Sequence, residues 1–205
     1  MKRVDFEQRL RRAAPFASLD EGQMQVLWLH YDLLRRWNSR INLTRVIELD
    51  AAVRFHYAES LFVATHLPRH ARSLIDVGSG AGFPGFVLAV ARPELEVTLL
   101  ESDLRKAAFL REVSDFAPNV QVLAQRSRDV TGSWDVAVSR AVRAEDVLEL
   151  AERAARWVLL VGTELPRTSQ REGWQHVELP DGNGRLWIHA ATPAAGHPID
   201  SSGHS

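Results

Sequence analysis

The chain has 205 residues and no cysteine. Disulfides, thiolate metal sites and cysteine nucleophiles are therefore excluded. Lysine is almost missing too: Lys2 and Lys106 are the only two. The cationic side chains are thus nearly all arginine, which suits bidentate phosphate contacts. No apolar run approaches the roughly 20 residues a membrane span needs, and Met1 to Glu7 lack the apolar centre of a signal segment. A soluble chain with a cytoplasmic address and no membrane contact is the expectation. Apart from His56, the histidines show no metal-ligand spacing, so no metal is expected.

The formal net charge of −1 argues against a nucleic-acid binder until the chain is divided. Residues 1–72 carry 12 Lys+Arg against 8 Asp+Glu, and the rest 13 against 18. The first third is therefore basic, which fits either RNA contact or a merely solvated face. Its pattern is helical. Ser18-Leu19-Asp20-Glu21 has the spacing of a capping box, and Met24, Leu27, Tyr31 and Leu34 recur as one buried stripe. This helix is expected to end near Arg40, with Ile41 to Thr44 as a non-helical connection. Asp50 is expected to cap a further helix carrying Phe55, Leu61 and Phe62.

From Ser73 short apolar strands alternate with helices. Strands are expected near 73–77, 96–101, 119–124, 134–139 and 157–162, with helices near 84–92, 103–116 and 144–156. Such alternation requires crossovers and a mainly parallel sheet with helices on both faces. Trp174 to Leu179 and Arg185 to Ala191 flank the turn-rich Asp181-Gly182-Asn183-Gly184 and read as a hairpin. Three segments follow: a helical cap over 1–72, an α/β domain over 73–192, and a disordered tail over 193–205.

The densest chemical signal is Leu74-Ile75-Asp76-Val77-Gly78-Ser79-Gly80-Ala81-Gly82-Phe83-Pro84-Gly85, answered by Val97 to Glu101. A buried strand runs into a glycine turn that lets a ligand touch backbone, and Glu101 ends the next strand, where a carboxylate can take ribose hydroxyls. A glycine turn alone is weak evidence, since many α/β turns need glycine for conformation only. Asp76 beside the loop repels the pyrophosphate of a nicotinamide dinucleotide but accepts from the ammonium of a methionine moiety. S-adenosylmethionine is therefore the better fit. The terminal hairpin agrees, because an antiparallel seventh strand separates methyltransferase sheets from dehydrogenase ones.

Several motifs in order resemble a known family. They are Trp37-Asn38 with Ile41-Asn42-Leu43-Thr44, His56 with Ser60-Leu61, the loop Asp76 to Gly85, Leu100-Glu101-Ser102, Lys106 with Phe109-Leu110, and Ser139-Arg140-Ala141. Over about residues 27–162 the chain is similar to the bacterial small-subunit ribosomal RNA guanine-N7 methyltransferases, also called the glucose-inhibited division protein B family. The resemblance implies a Rossmann-like class I S-adenosylmethionine-dependent methyltransferase: an α/β protein with a mainly parallel seven-stranded sheet, a C-terminal antiparallel hairpin and an N-terminal helical cap. The implied activity is methyl transfer to N7 of a guanine in a decoding-site hairpin loop of 16S ribosomal RNA, with that RNA or the small subunit as partner. A monomer is expected. A small-molecule or protein methyltransferase, or a non-catalytic nucleotide-binding protein, remains the alternative.

By the same resemblance Asp76, Gly78, Gly80, Phe83, Glu101, Ser127, Arg128 and Arg140 are cofactor-binding candidates. Asn42, His56, Arg126 and Arg140 are candidates on the substrate side. No catalytic base is required, because guanine N7 already presents a lone pair. Bland roles compete: Glu101 as a cap for the helix after Ser102, Arg140 as a surface ion-pair partner of Glu145 or Asp146, and His56 as a satisfied half-buried histidine. The chain departs from the family at Glu59, where Asp is usual, at Arg126-Ser127-Arg128, where Arg-Ala-Glu or Arg-Val-Glu is usual, and at Gly162-Thr163-Glu164-Leu165, where a Lys-Gly pair commonly follows the fifth strand.

Overall fold

The computed structural model describes residues 2–140, 144–162, 173–182 and 184–190. Strands β1 (Ser73–Val77), β2 (Glu96–Leu100), β3 (Val120–Leu123), β4 (Trp134–Arg140), β5 (Ala155–Gly162), β6 (Gln175–Glu178) and β7 (Arg185–Ala190) form one sheet. Their order is β3-β2-β1-β4-β5-β7-β6. The first five are parallel, and β7 runs antiparallel to both β5 and β6. This is the expected sheet, and its strand order switches sides between β1 and β4, the point at whose carboxyl ends open α/β sheets bind ligands. The tail over 193–205, Ala191, Asn183 and Ala141 lie outside the described residues.

Central β1 is buried from Leu74 to Val77 because helices cover both faces of a parallel sheet. Its register is fixed at the bottom by Asp135 on β4, which accepts from the Arg72 and Ser73 amides at 2.7 and 3.1 Å. The flanking helices are α5 (Gly85–Ala91), α6 (Leu104–Ser114) and α7 (Ala144–Ala154). The last ends two residues before its expected limit because β5 begins at Ala155 rather than near 157.

The cap consists of α1 (Arg3–Ala13), α2 (Glu21–Asn38), α3 (Leu49–Ala52), a π-helical turn over Val53–Ala58, and α4 (Glu59–Thr65). Two expected caps are corrected. Helix α2 is capped by Asp20, whose carboxylate accepts from the Gln23 amide at 2.8 Å while Gln23 returns the bond to the Asp20 amide at 2.9 Å. Ser18 lies too far upstream for this reciprocal pair. Helix α3 is capped by Glu48, which accepts from the Ala51 amide at 3.1 Å, and Asp50 instead meets Arg9 at 2.6 Å. Beyond α2, Asn38 closes the connection: Oδ1 accepts from the Leu43 and Thr44 amides, both at 2.9 Å.

One hydrophobic cluster runs from Phe6, Leu27 and Tyr31 of the cap through Phe86 and Phe109 to Leu99 and Val138 of the sheet. Trp37 adds a polar tie, donating to Glu112 of α6 at 2.8 Å while its ring meets Phe109 edge-on. Cap and sheet thus share their apolar burial, so shifting the cap disturbs the loops beneath it.

Candidate functional site

The loop after β1 is shaped by main chain. The Gly78 and Ser79 amides donate to Leu100 O at 2.8 and 3.0 Å, which ties the turn to the end of β2. Gly80 has φ +56°, and a Cβ there meets nothing nearer than Gly78 O at 3.8 Å. Glycine at 80 therefore serves backbone conformation and leaves the space beside it clear. Gly85 has the opposite reason. A Cβ there would sit 2.6 Å from Asp76 Cβ, Asp76 Oδ2 and Leu99 Cδ2, so helix α5 reaches the strand only without a side chain.

Asp76 is fully buried. Oδ2 accepts from the Gly85 amide at 2.9 Å, whereas Oδ1 has no hydrogen-bond partner among the described residues. Burial pushes its carboxyl up to about 7, opposed by the Gly85 amide and the nearby Ser79 hydroxyl. An orphaned carboxylate oxygen next to a glycine turn fits a ligand that brings its own N–H donors. Glu101 is also buried; Oε2 accepts from the Gly80 amide at 2.9 Å and Oε1 from the Asp103 amide at 2.8 Å. The cap of α6 is Asp103, bonded to the Arg105 and Lys106 amides. Glu101 thus fastens the glycine turn to the end of β2, and each oxygen keeps a lone pair for hydroxyl donors.

Arg140 ends β4 and is claimed by the cap. Nη1 donates to Phe55 O at 2.5 Å and lies 3.2 Å from Glu59 Oε2; Nη2 donates to His56 Nδ1 at 2.7 Å. Its ion partner among the described residues is Glu59; the competing role, a surface pair with Glu145 or Asp146, falls on side chains outside the described residues. The clamp comes from the π-helical turn, whose wider winding presents Phe55 O and His56 towards the sheet. Burial raises the Glu59 carboxyl to about 7 against the pull of Arg140.

His56 is 5% exposed and stacks on Phe83, ring centroids 4.5 Å apart. A guanidinium only donates, so Nδ1 accepts and the proton sits on Nε2, which donates to Thr44 Oγ1 at 3.0 Å. Burial, aided by Arg140, lowers the ring to about 3 and keeps it neutral. His56 therefore aims Arg140 from behind Phe83. Phe83 itself is buried against His56, Tyr57 and His30.

His30 was given no role by sequence. It is fully buried, and its Nε2 donates to Ala81 O at 3.0 Å because a carbonyl only accepts. Nδ1 then accepts from the Tyr57 hydroxyl at 2.6 Å. Burial lowers this ring to about 4. A histidine inside the apolar stripe, three residues after Leu27, was the available clue: a buried imidazole needs partners for both nitrogens.

The remaining candidates lie further out. Ser127 and Arg128 form a 3-10 turn over Ser127–Asp129 just after β3, on the Glu101 side of the sheet. Arg128 and Asp129 pair at 3.7 Å on the surface, and Arg126 is exposed beside them. Asn42 is exposed in the connection after α2. Gly80 is hydrogen-bonded to Glu101, Gly78 to the neighbouring Leu100 and Asp76 to Gly85 at the far end of the same loop, and Arg140 stands close enough for Asp76 to act on its charge. Asn42 and Arg126 are not joined to that group by any described contact.

Among the described residues no helix is long and apolar enough to cross a membrane, and no cluster of three metal-ligating side chains occurs. Comparison with known proteins gives consistent results. "Ribosomal RNA small subunit methyltransferase G" of Roseiflexus sp. is 40% identical over 132 residues, which are 60% of this chain and 56% of that protein. The protein of the same name from Dichelobacter nodosus is 34% identical over 187 residues, covering 85% and 87%. For several of these relatives the match spans only about half of their length. A mutant MtNAS solved in complex with S-adenosylmethionine shares the fold, with TM-score 0.52 at 12% identity over 83% of this chain and 76% of that one. The family model "GidB: rRNA small subunit methyltransferase G" matches residues 23–163, and the chain belongs to that family.

Proposed function

We propose that this protein transfers a methyl group from S-adenosylmethionine to N7 of a guanine in a decoding-site hairpin loop of 16S ribosomal RNA. The supporting observation is the crevice at the carboxyl ends of β1 and β2, where the unpartnered Asp76 Oδ1 and the Glu101 carboxylate flank an open glycine turn. Those groups suit the ends of a sulfonium nucleoside, an ammonium for Asp76 and ribose hydroxyls for Glu101. Ser127 and Arg128 border the adenine side, and Gly78 lets the ligand approach main chain. When bound, the cofactor would supply an electrophilic methyl carbon and leave as a neutral thioether as the C–S bond breaks, so N7, which already carries a lone pair, would need no base.

What remains for the chain is positioning and charge management. Arg140, held by Phe55 O, His56 and Glu59, places a fixed donor at the crevice mouth. Glu59 offsets the guanidinium charge, which would otherwise oppose the positive charge arriving on the base. Neutral His56 adds no second cation there. Asn42 and Arg126, at the rim, are the remaining substrate-side residues, and the arginines of the cap hold RNA phosphates. The partner is the small subunit or its RNA, read at a loop where unstacked bases are accessible.

The test is incubation with labelled S-adenosylmethionine and small subunits from a methylation-deficient strain, followed by mapping of the label. The reading expects one N7-methylguanine in 16S RNA. Label in another position, or none, contradicts it.

A further inference from the structure

Lined by Glu59 but by no residue of the glycine turn is a groove of about 310 Å³. Helix α1, the π-helical turn and the β6–β7 turn enclose it, and its polar lining is Arg9, Arg12, Arg54, Asp50, Glu59 and Asp181. Its size falls at the low end of small-ligand pockets, about 300–1,000 Å³, which suits one nucleotide. Arg9 and Asp50 satisfy each other at 2.6 Å. Arg12 and Arg54 are exposed and have no carboxylate partner among the described residues. Glu59 is buried at the inner wall, where it also holds Arg140. Asp181 acts on the charges of both Glu59 and Arg140.

The lining therefore has a polarity: at the rim, guanidinium groups with no carboxylate partner among the described residues, that of Arg54 lying 5.3 Å over the Phe55 ring, and a carboxylate within. Above about pH 7, where Glu59 is ionised, a bare phosphate meets repulsion at the inner wall, and a simple cation meets it at the rim. A ligand with an anionic group outside and paired N–H donors inside satisfies both. The phosphate and the N1–H and amino edge of a guanine nucleotide have that arrangement, since a carboxylate accepts two parallel N–H bonds. Val53 and Pro180 add apolar wall for a base face.

We propose that this groove seats a second guanine nucleotide of the substrate strand, its phosphate on Arg12 and Arg54 and its Watson–Crick edge on Glu59. The Glu59 to Arg140 contact then links the groove to the methyl-transfer crevice. This inference rests on the RNA methyltransferase reading above.

The test uses the full chain with 5′-GMP, 5′-AMP and inorganic phosphate as calorimetric probes. 5′-GMP is expected to bind at least tenfold more tightly than the other two, and the double variant Arg12→Glu, Arg54→Glu to lose at least tenfold of that affinity. The same variant is expected to raise KM for small subunits while kcat and S-adenosylmethionine affinity stay within twofold. The milder Arg12→Gln, Arg54→Gln pair, judged by melting temperature, covers a folding defect. Equal binding of 5′-GMP and phosphate, or 5′-GMP affinity unchanged in both variants, overturns the proposal. Wild-type methylation with an unchanged KM in the variants overturns the groove alone. Absence of wild-type methylation strikes the parent reading and leaves the 5′-GMP comparison to decide the groove.

Discussion

At the scale of single residues, Asp76 is expected to set a pH dependence of cofactor binding. Its carboxyl is held near 7 by burial, and an ammonium is bound best by the ionised form. Affinity for S-adenosylmethionine is therefore expected to rise as pH passes upward through 7, weakening about tenfold at pH 6 relative to pH 8. Asp76→Asn should bind weakly and lose that dependence; titration calorimetry at three pH values checks both, and an unaltered profile in the variant excludes Asp76 as its origin. Glu101→Ala removes the acceptor for the Gly80 and Asp103 amides together with the two hydroxyl sites. The expected cost in cofactor affinity is about 1–3 kcal/mol, the scale for hydrogen bonds to a charged acceptor. Unchanged calorimetric affinity counts against the ribose assignment.

At the scale of elements, the glycine turn separates two kinds of glycine. Gly85→Ala drives a methyl into Asp76 and Leu99 and is expected to cost about 1–3 kcal/mol or more in a urea melt. Gly80→Val meets no neighbouring side chain but forces a β-branched residue to φ +56°, so it is expected to cost about 1–2 kcal/mol from backbone strain and to abolish cofactor binding with a native far-ultraviolet spectrum. Retained cofactor affinity in Gly80→Val would show that no ligand approaches the main chain there. The strand and helix alternation was legible because parallel strands buried on both faces read as apolar runs, as Leu74 to Val77 do. The π-helical turn was not, since widening one turn changes no composition. The Arg140 clamp is not legible in the sequence for another reason: Phe55 O, His56 and Glu59 meet Arg140 only once cap and sheet are packed, and nothing local in either segment announces the pairing. Glycine and acid positions at the crevice were visible because strand ends and turns carry them in sequence order.

At the scale of the whole molecule, buried titratable groups oppose each other. His30 and His56 stay neutral in the fold down to about 4 and about 3, but take up protons near 6.5 once unfolded. Acid below 6.5 therefore withdraws stability through them. Asp76 and Glu59 hold protons in the fold up to about 7 but ionise near 4 when unfolded, so rising pH withdraws stability through them. Between about pH 4.5 and 6.5 the proton counts offset, and these four groups leave the unfolding free energy nearly flat. Asp76→Asn removes one folded-state proton, leaving net uptake of one on unfolding. Its stability should then fall towards acid by about 1.4 kcal/mol per pH unit across that window, relative to wild type. Urea unfolding at pH 5, 5.5, and 6 checks this, and parallel pH curves for the two proteins contradict it.

The central claim concerns one crevice, and a crystal soaked with S-adenosylmethionine addresses it directly. The account predicts density at the carboxyl ends of β1 and β2, with ribose hydroxyls on Glu101, the methionine ammonium facing Asp76 and main chain of the 78–80 turn in contact. An empty crevice, or the nucleoside bound elsewhere on the chain, contradicts it.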